Sequence, residues 1–322
     1  MTSADSPYRG VRALVTGATG FIGRNVALEL AKAGAEVWLG VRDAAAAAPL
    51  AGACGSTRRI VELAAEASSS VTDAVAHARP AIVFNLAGYG VAPDERDPET
   101  ARIVNAWLPV GLGRAAAEMD PGDWTGARIV HVGSALEYGR AAGDLSEETP
   151  PLPTTLYGKT KLEGTLGLVE LGLPALTARL FTVYGPGEPD GRLLPSLTAL
   201  ARGGGRLAVT EGSQRRDFTY VGDVAEGLLR LGALGRCDNV VNLATGVLAT
   251  VREFIETAQR VLEIPAERIV WGEVQMRPEE MSHDPVSIVR LCSLTGWRPE
   301  TTIAVGIERT LESLHGRNSG DG

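Results

Sequence analysis

The strongest constraint on the fold is the turn TGATGFIG, which joins an apolar segment, residues 11–17, to a helical segment, residues 21–33. Gly17 permits a tight turn, Gly20 lets a ligand approach the backbone, and Gly23 lets the helix pack closely on the strand. The helix then begins with free N–H groups and the positive end of its dipole. The turn therefore predicts a pyrophosphate-binding site, with a purely structural turn as the alternative.

Short apolar segments alternate with amphipathic ones through the first half of the chain, which predicts an α/β fold with a parallel, doubly wound sheet. Further strands are expected at residues 36–41, 59–63, 81–88 and 127–134, and helices at 68–78, 97–119 and 157–172. The low-complexity segment 44–57 is interpreted as a surface loop or a frayed helix.

Proline and glycine cluster after about residue 180, where the alternation becomes irregular. We interpret residues 1–180 as a nucleotide-binding domain to which later segments, about 215–250, return. Residues 181–322 are then mainly a smaller C-terminal substrate-binding lobe.

Charge and composition exclude several classes of protein. The net charge of −8 argues against a nucleic-acid partner, because phosphate backbones require a basic surface. The three cysteines lack a metal-ligand spacing and are odd in number, which fits a reducing cytoplasm. No apolar segment approaches the ~20 residues that span a bilayer, and the polar N-terminus is unlike a signal peptide.

A candidate catalytic group follows the fifth predicted strand. The segment YGKTK places Tyr157 and Lys161 one helical turn apart, so that the ammonium can favour the phenolate and assist proton transfer. Ser134 ends the strand, where side chains of an open α/β sheet face the ligand crevice. By itself the Tyr–Lys spacing is common and also fits a solvated helix face.

These motifs together resemble the extended branch of the short-chain dehydrogenase/reductase superfamily, in its NAD-dependent epimerase/dehydratase family. The GxxGxxG turn, GSALEYG, YGKTK, RLFTVYGPGE and RRDFTYVGDVA carry the resemblance, which covers roughly residues 11–312. It implies a Rossmann-type fold in which Ser134 bonds the substrate oxygen, Tyr157 exchanges a proton and Lys161 holds the nicotinamide ribose. It also implies cofactor contacts at Gly17, Thr19, Gly20, Phe21, Ile22, Gly23, Glu62, Leu63, Leu86 and Ala87.

Nucleotide sugars are the substrates that the resemblance implies, and arginines suit their two phosphates. Arg216 in RRDF and Arg277 in MRPEE are the candidates, although each could be an ordinary surface charge. Arg192 and Leu194 in RLLP align with the segment that contacts the nucleotide base, with ordinary packing as the alternative.

The residues around the triad of Ser134, Tyr157 and Lys161 reduce the number of possible reactions. Sugar 4,6-dehydratases resemble one another in carrying two acids directly after the triad hydroxyl, but here Ala135 and Leu136 occupy those positions. The Cys–His pair of combined 3,5-epimerase/reductases is also absent. His131 is expected to be a packed core residue, and we favour a structural role for Glu137.

The cofactor then separates a 4-ketoreductase from a 4-epimerase. NAD-using members carry a ribose-binding acid where this chain has Val41, and Arg42 follows. An arginine can bind the 2′-phosphate of NADP(H) and stack on adenine, and Arg24 could add a second cation. The alternative is that Arg42 is a solvated residue and Asp43 binds the ribose.

The sequence therefore predicts an NADPH-dependent reductase of a nucleotide-linked 4-keto-6-deoxyhexose, with dTDP as the favoured nucleotide. A 4-epimerase with tightly bound NAD, a reductase of a non-sugar carbonyl compound and a catalytically silent NADP-binding regulator are the alternatives. Thr182 departs from the asparagine that many relatives have. The long helices 97–119 and 157–172 could pair two subunits, so a homodimer is expected.

Overall fold

The apolar segment before the glycine turn forms β1, the central strand of a parallel sheet. The protein is described here from a computed structural model, which describes residues 6–66, 68–91, 94–139, 143–235, 240–275 and 285–318. Within these ranges the strands are β1 (Arg12–Thr16), β2 (Glu36–Val41), β3 (Ile60–Glu62), β4 (Ile82–Asn85), β5 (Ile129–Ser134), β6 (Ala175–Leu180), β7 (Thr182–Tyr184), β8 (Leu207–Ala208), β9 (Arg215–Tyr220), β10 (Val240–Leu243), β11 (Leu248–Thr250) and β12 (Ile269–Val270). The α-helices are α1 (Phe21–Lys32), α2 (Ala44–Ala53), α3 (Ser68–Ala78), α4 (Pro98–Arg102), α5 (Leu108–Ala117), α6 (Leu156–Glu170), α7 (Leu193–Gly203), α8 (Val221–Gly232), α9 (Val251–Val261), α10 (Val289–Thr295) and α11 (Ile303–Asn318).

The main sheet has seven strands in the order β10-β6-β5-β4-β1-β2-β3, and all its pairs are parallel. The strand order reverses at β1, because β2 lies on one side of it and β4 on the other. The predicted parallel, doubly wound Rossmann-type sheet is confirmed.

Both faces of the sheet are covered, as an all-parallel sheet requires. Ala13 and Val15 of β1 contribute to one core cluster, which includes residues of α1 and α8. Leu14 between them contributes to the second cluster, which includes residues of α3, α5 and α6. Successive side chains of a strand point to opposite faces, so one apolar strand supplies both cores.

The segment 44–57 is more ordered than the expected loop or frayed helix, because it forms the ten-residue helix α2. The Asp43 carboxylate accepts hydrogen bonds from the backbone N–H groups of Ala45 and Ala46 at its N-terminus. Ala47 and Ala51 are buried on its inner face. A side-chain cap and two buried alanines are enough to hold a helix that has little amphipathic pattern.

The long helix expected at residues 97–119 is interrupted by a π-helical segment, Ile103–Trp107, between α4 and α5. Pro109 lacks the N–H that would bond to the carbonyl of Asn105 four residues earlier, so the regular α pattern is broken there. The interruption places Asn105 in the interior, fully buried, beside α6.

The later part of the chain adds two small sheets and one strand of the main sheet. β10 pairs with β6 at the edge of the seven-stranded sheet. β7, β9 and β11 form a three-stranded sheet, and β8 pairs with β12. Among the described residues, no helix is both long and apolar enough to span a membrane.

Candidate active site

The crevice at the carboxyl ends of β1, β4 and β5 is where the sheet order reverses, which is the usual ligand site in open α/β sheets. Gly17 follows β1 and has a φ of 64°. A Cβ on Gly17 would lie 2.7 Å from the backbone nitrogen of Ala87 and 2.8 Å from the carbonyl carbon of Leu86. The glycine turn therefore lies directly against the segment that follows β4, and only glycine fits there.

The turn leaves room for a phosphate group at the start of α1. A Cβ on Gly23 would lie 2.1 Å from the carbonyl oxygen of Gly17, so the helix packs tightly on the turn. Gly20 is the N-cap of α1, and no side chain of the described residues caps the helix there. Thr19 and Gly20 are exposed. Free N–H groups at an open helix N-terminus fit the pyrophosphate of a nicotinamide dinucleotide.

The first turn of α1 supplies the remaining candidates from the glycine motif. Phe21 and Ile22 are half-buried against the main core. Arg24 is half-buried, and its Nη2 donates a hydrogen bond to the carbonyl of Thr19 at 3.1 Å. The Arg24 side chain also lies beside Gly187, since a Cβ there would be 3.1 Å from its Cδ. Arg24 is therefore held over the turn.

Arg42 lies at the carboxyl end of β2 and is exposed. It makes no hydrogen bond or ion pair with any residue that the structure describes. Asp43, the acid weighed as a ribose ligand, already caps α2 through two backbone N–H groups. Glu62 ends the neighbouring strand β3, in register with Val41 of β2, and Leu63 is buried.

The structure brings Ser134, Tyr157 and Lys161 together. Ser134 ends β5, whereas Tyr157 lies in the first turn of α6, which is capped by the Thr155 hydroxyl at 3.0 Å from the nitrogen of Gly158. Lys161 Nζ lies 5.8 Å from the centroid of the Tyr157 ring.

The Lys161 ammonium is buried and held by backbone carbonyls of two strand ends. It donates to the carbonyl of Val132 at 3.0 Å and to that of Ala87 at 3.4 Å. Burial lowers the pKa of Lys161 to about 8, and the negative charge of Glu137 partly opposes this effect. The ammonium is thus placed at the cofactor end of the crevice, within reach of Tyr157.

Burial raises the pKa of Tyr157 well above its ordinary value, and the negative charges of Glu137 and Glu95 raise it further. Arg192 and a hydrogen bond with the Ser134 side chain act in the opposite direction. The phenol is therefore protonated at neutral pH in the free protein, and this is the form from which a proton can be donated.

A loop beside Tyr157 was not identified from the sequence. Asn105 holds it by accepting from the nitrogen of Tyr89 at 3.0 Å and donating to its carbonyl at 2.8 Å. The Glu95 carboxylate accepts from the nitrogens of Gly90 and Val91 at 2.7 and 3.0 Å. Nothing in the spacing of the residues indicated that Glu95 would lie near the phenol.

His131 is fully buried, as expected for a core histidine. Asn85 Nδ2 lies 3.0 Å from its Nδ1, and the Thr16 hydroxyl donates to Asn85 Oδ1 at 2.6 Å. Burial and the nearby charge of Lys161 lower the pKa of His131 well below its ordinary value, so the ring is neutral. It supplies no acid to the crevice at neutral pH.

Three of the four residues expected to bind the nucleotide lie on two described elements, α7 and β9. Arg192 is the N-cap of α7, and its side chain is 45% exposed. Leu194, in the first turn of α7, is buried in the main core. Arg216 lies half-buried on β9 opposite Ala249, and Arg277 lies outside the described residues.

Glu188 is a second acid near the crevice that the sequence did not single out. Its side chain is 5% exposed, and its Oε1 lies 3.5 Å from Nε of Arg192. Its Oε2 has no hydrogen-bond partner among the described residues. Burial raises the pKa of Glu188 to about 7, although Arg192 acts in the opposite direction. The segment YGPGE, quoted only for its resemblance, was the available signal.

Comparisons with known proteins find relatives whose matches cover most of the chain. The chain is 30% identical over 306 residues to dTDP-6-deoxy-L-talose 4-dehydrogenase (NAD(P)(+)) from Kitasatospora kifunensis, a match that covers 91% of this chain and 92% of that protein. It is 29% identical over 252 residues to GDP-6-deoxy-D-mannose reductase from Pseudomonas aeruginosa, covering 74% of this chain and 81% of that protein.

The solved structure of RMD from Pseudomonas aeruginosa complexed with NADPH superposes with a TM-score of 0.77 at 27% identity, covering 95% of this chain and 99% of that one. The family described as "NAD dependent epimerase/dehydratase family" matches residues 13–262, which include the glycine turn and the Ser–Tyr–Lys group. The chain belongs to the NAD dependent epimerase/dehydratase family.

Proposed function

We propose that the protein is an NADPH-dependent reductase of the C4 ketone of a nucleotide-linked 4-keto-6-deoxyhexose, with dTDP as the favoured nucleotide. The observation that carries the proposal is the state of the two charged residues after β2. Arg42 is exposed and makes no bond with a described residue, whereas the carboxylate of Asp43 caps α2. A cation is thus available where a ribose-binding acid would be needed for NAD.

This arrangement favours a cofactor with a 2′-phosphate. The cap fixes the Asp43 carboxylate through its Oδ1, so turning this oxygen toward the ribose would cost about 1 kcal/mol. Arg42 offers a planar guanidinium that can bond a phosphate and stack on adenine without breaking any contact. NADPH is therefore preferred over NADH in the proposal.

The relatives support the choice of substrate class. Both relatives named above act, by their names, on nucleotide-linked 6-deoxyhexoses, one as a reductase and one as a 4-dehydrogenase. The solved structure with 27% identity contains NADPH. We transfer to this chain the common chemistry of the two names, which is interconversion of a ketone and an alcohol on a 6-deoxysugar.

Bound NADPH supplies the hydride that adds to the C4 carbon of the sugar. Ser134 donates a hydrogen bond to the ketone oxygen, and Tyr157 transfers its phenolic proton to the same oxygen as the C–O double bond becomes a single bond. Lys161 stabilises the phenolate that remains, through its positive charge at 5.8 Å from the ring centroid. The balance is one hydride and one proton for one ketone.

Dehydration of the sugar would require two further acid–base groups next to Ser134. Ala135 is buried and apolar, and Leu136 has no titratable group. The carboxylate of Glu137 accepts hydrogen bonds from the Ser134 nitrogen, Thr165 and Arg179, so it is directed away from the substrate. These contacts support a reaction that uses the triad alone.

The later segments would bind the nucleotide. We propose that residues 181–322 form most of the nucleotide-sugar lobe, with Arg192 and Leu194 on the segment that contacts the nucleotide base and Arg216 on the diphosphate. Arg277 is proposed for the same role from its motif. The exposed position of Arg192 at the start of α7, near Tyr157, supports its part in this assignment.

A homodimer is the proposed assembly. The π-helical segment packs on α6, and the two elements carry the exposed apolar side chains of Trp107, Leu166 and Val169, which are 59%, 49% and 37% exposed. Apolar side chains of this size on adjacent helices support burial against a second copy.

The test is oxidation of NADPH by the purified protein with a dTDP-4-keto-6-deoxyhexose. We expect NADPH absorbance to fall with the keto sugar present, and much slower turnover with NADH. Interconversion of two UDP-hexoses without added cofactor would show a 4-epimerase instead.

A further inference from the structure

Arg24 is a cation beside the open N-terminus of α1, and it has no acidic partner among the described residues. It is half-buried, and its Nη2 donates a hydrogen bond to the carbonyl of Thr19 at 3.1 Å. No acid lies in the first turn of α1, and no side chain of the described residues caps this helix. Because the helix N-terminus is the positive end of a dipole, it repels the guanidinium, and an anion bound between them would remove this repulsion.

The guanidinium keeps most of its donors available. An arginine has five N–H donors, and the bond to Thr19 uses one of them. That bond also keeps the guanidinium beside the turn TGATG, whose backbone N–H groups are expected to bind phosphate. The remaining donors of Arg24 are therefore available to phosphate oxygens at the same turn.

A segment from the later part of the chain, residues 185–188, covers Arg24 from the other side. Gly187 has a φ of 89°, and a Cβ on it would lie 3.1 Å from Cδ of Arg24 and 3.7 Å from its Nη1. Asn25, the next residue of α1, donates from Nδ2 to the carbonyl of Pro186 at 3.2 Å. The Arg24 side chain is thus held between the glycine turn and this segment, in a space that a side chain at position 187 would narrow.

The position of the segment shows toward which side of α1 the Arg24 side chain extends. A Cβ on Gly185 would lie 2.7 Å from Cγ1 of Val221, so the segment is wedged between α1 and the first residue of α8. The helix α8 packs on β5 and β6, whereas α2, which follows Arg42 closely, packs on β2 and β3. These two pairs of strands lie on opposite sides of β1. Arg24 therefore extends away from Arg42, which disfavours a shared contact with one 2′-phosphate.

We propose that Arg24 binds the pyrophosphate of the nicotinamide dinucleotide, and that residues 185–188 hold its guanidinium in place over the glycine turn. The pyrophosphate joins the two halves of the cofactor and is the part expected at the N-terminus of α1. A segment outside the glycine motif thus contributes to cofactor binding. The inference goes beyond the proposed reaction and does not depend on it, since NADPH and NADH carry the same pyrophosphate.

The first test is calorimetric binding of NADPH and of NADH to Arg24→Ala, with protein freed of copurified nucleotide and without any sugar. We expect both Kd values to rise by the same factor, at least about tenfold, because each cofactor loses the same charged hydrogen bond. Lys32→Ala, which removes an exposed cation at the other end of α1, is the matched control and binds both cofactors as wild type.

Three results would overturn the proposal. A rise in Kd for NADPH alone would place Arg24 on the 2′-phosphate, and no rise for either cofactor would show that it does not bind the pyrophosphate. Because a nucleotide sugar also carries a diphosphate, the Kd for dTDP is measured in the same variant and is expected to stay unchanged. Weaker dTDP binding with unchanged binding of both cofactors would assign Arg24 to the substrate instead.

The role of the segment is tested by Gly187→Ala, in which the new Cβ displaces the Arg24 side chain. We expect weaker binding of NADPH and NADH by one common factor, and no further loss when this change is added to Arg24→Ala. Additive losses would mean that Gly187 acts independently of Arg24, which contradicts the proposal. Gly191→Ala is the matched control, because Gly191 has a similar φ of 79° and no atom within 4 Å of the new Cβ.

If Gly187→Ala does not fold, Asn25→Ala releases the segment by removing the bond to the Pro186 carbonyl. This variant is also expected to weaken NADPH and NADH by one common factor, and unchanged binding would refute the role of the segment. None of these measurements requires turnover. A protein that fails to reduce the keto sugar would therefore contradict the proposed function without affecting this test.

Discussion

Replacement of Arg42 by alanine is the most informative single change for the choice of cofactor. Arg42 lies exposed at the end of β2, beside Glu62 of β3, and has no contact within the described residues to lose. A hydrogen bond between a charged pair contributes about 1.5–3 kcal/mol. Because the site is exposed, screening places Arg42 in the lower part of that range, about 1.5–2 kcal/mol. This corresponds to a rise in KM for NADPH of about 10- to 30-fold.

The assay is steady-state reduction with each cofactor at saturating keto sugar. KM for NADH is expected to rise far less, because NADH has no 2′-phosphate for the guanidinium to bind and loses only the stacking on adenine. Arg58→Ala is the matched control: Arg58 is also exposed, but it precedes β3 and so lies toward the opposite edge of the sheet. Equal rises in KM for the two cofactors would refute the role of Arg42 in binding the phosphate.

Three further outcomes are expected. Tyr157→Phe, which removes only the proton donor, should lower kcat by at least about 10²-fold while NADPH titration stays as in wild type, and undiminished turnover would contradict its role. Since burial lowers the pKa of Lys161 to about 8, the ammonium is lost as pH rises through that value, and kcat/KM should fall above it. The control Lys159→Met, at an exposed position, should show the same fall in kcat/KM. A value of kcat/KM that stays constant as pH rises through 8 would count against Lys161. In Gly23→Ala the new Cβ would lie 2.1 Å from the carbonyl oxygen of Gly17, so calorimetry should show that NADPH binds at least about tenfold more weakly. The control Gly203→Ala, where the new Cβ would have no neighbouring atom within 4 Å, should bind NADPH as tightly as wild type.

The sheet and the catalytic group were open to prediction because their signals are local. Apolar segments of strand length, each followed by a helix, leave few arrangements other than a parallel sheet. Ser134 at a strand end and the Tyr157–Lys161 spacing on one helix then place three side chains at the same edge. The glycine turn could also be predicted from the sequence, because its function depends on a backbone shape that glycines at fixed positions allow.

The surroundings of the phenol were not open to prediction, because they depend on the paths of loops. Glu95 approaches Tyr157 only through the loop that Asn105 holds, and Asn105 is turned inward by the π-helical segment. The direction of Glu137 was also undetermined from strand alternation, since the 3₁₀ turn after β5 ends that alternation. The spacing S-x-x-E at 134–137 is a capping-box signature that could have indicated its contact with Ser134.

The contacts of Asp43 show how a neighbouring element bears on the proposed choice of cofactor. From the sequence, Arg42 and Asp43 were both candidates for the adenosine ribose. The segment that follows, interpreted as a loop or a frayed helix, is a complete helix whose N-terminus Asp43 caps. The cap holds Oδ1 of Asp43, whereas Arg42 has no hydrogen bond with a described residue, and no spacing of residues alone could indicate this difference.

The most direct test of the account is the fate of the cofactor hydride. The purified protein would be incubated with a dTDP-4-keto-6-deoxyhexose and NADPH that carries two deuterium atoms at C4 of the nicotinamide. The account predicts one NADP⁺ formed for each sugar alcohol and deuterium on the C4 carbon of the product. Sugar interconversion with no net oxidation of NADPH, and no deuterium at C4, would contradict it.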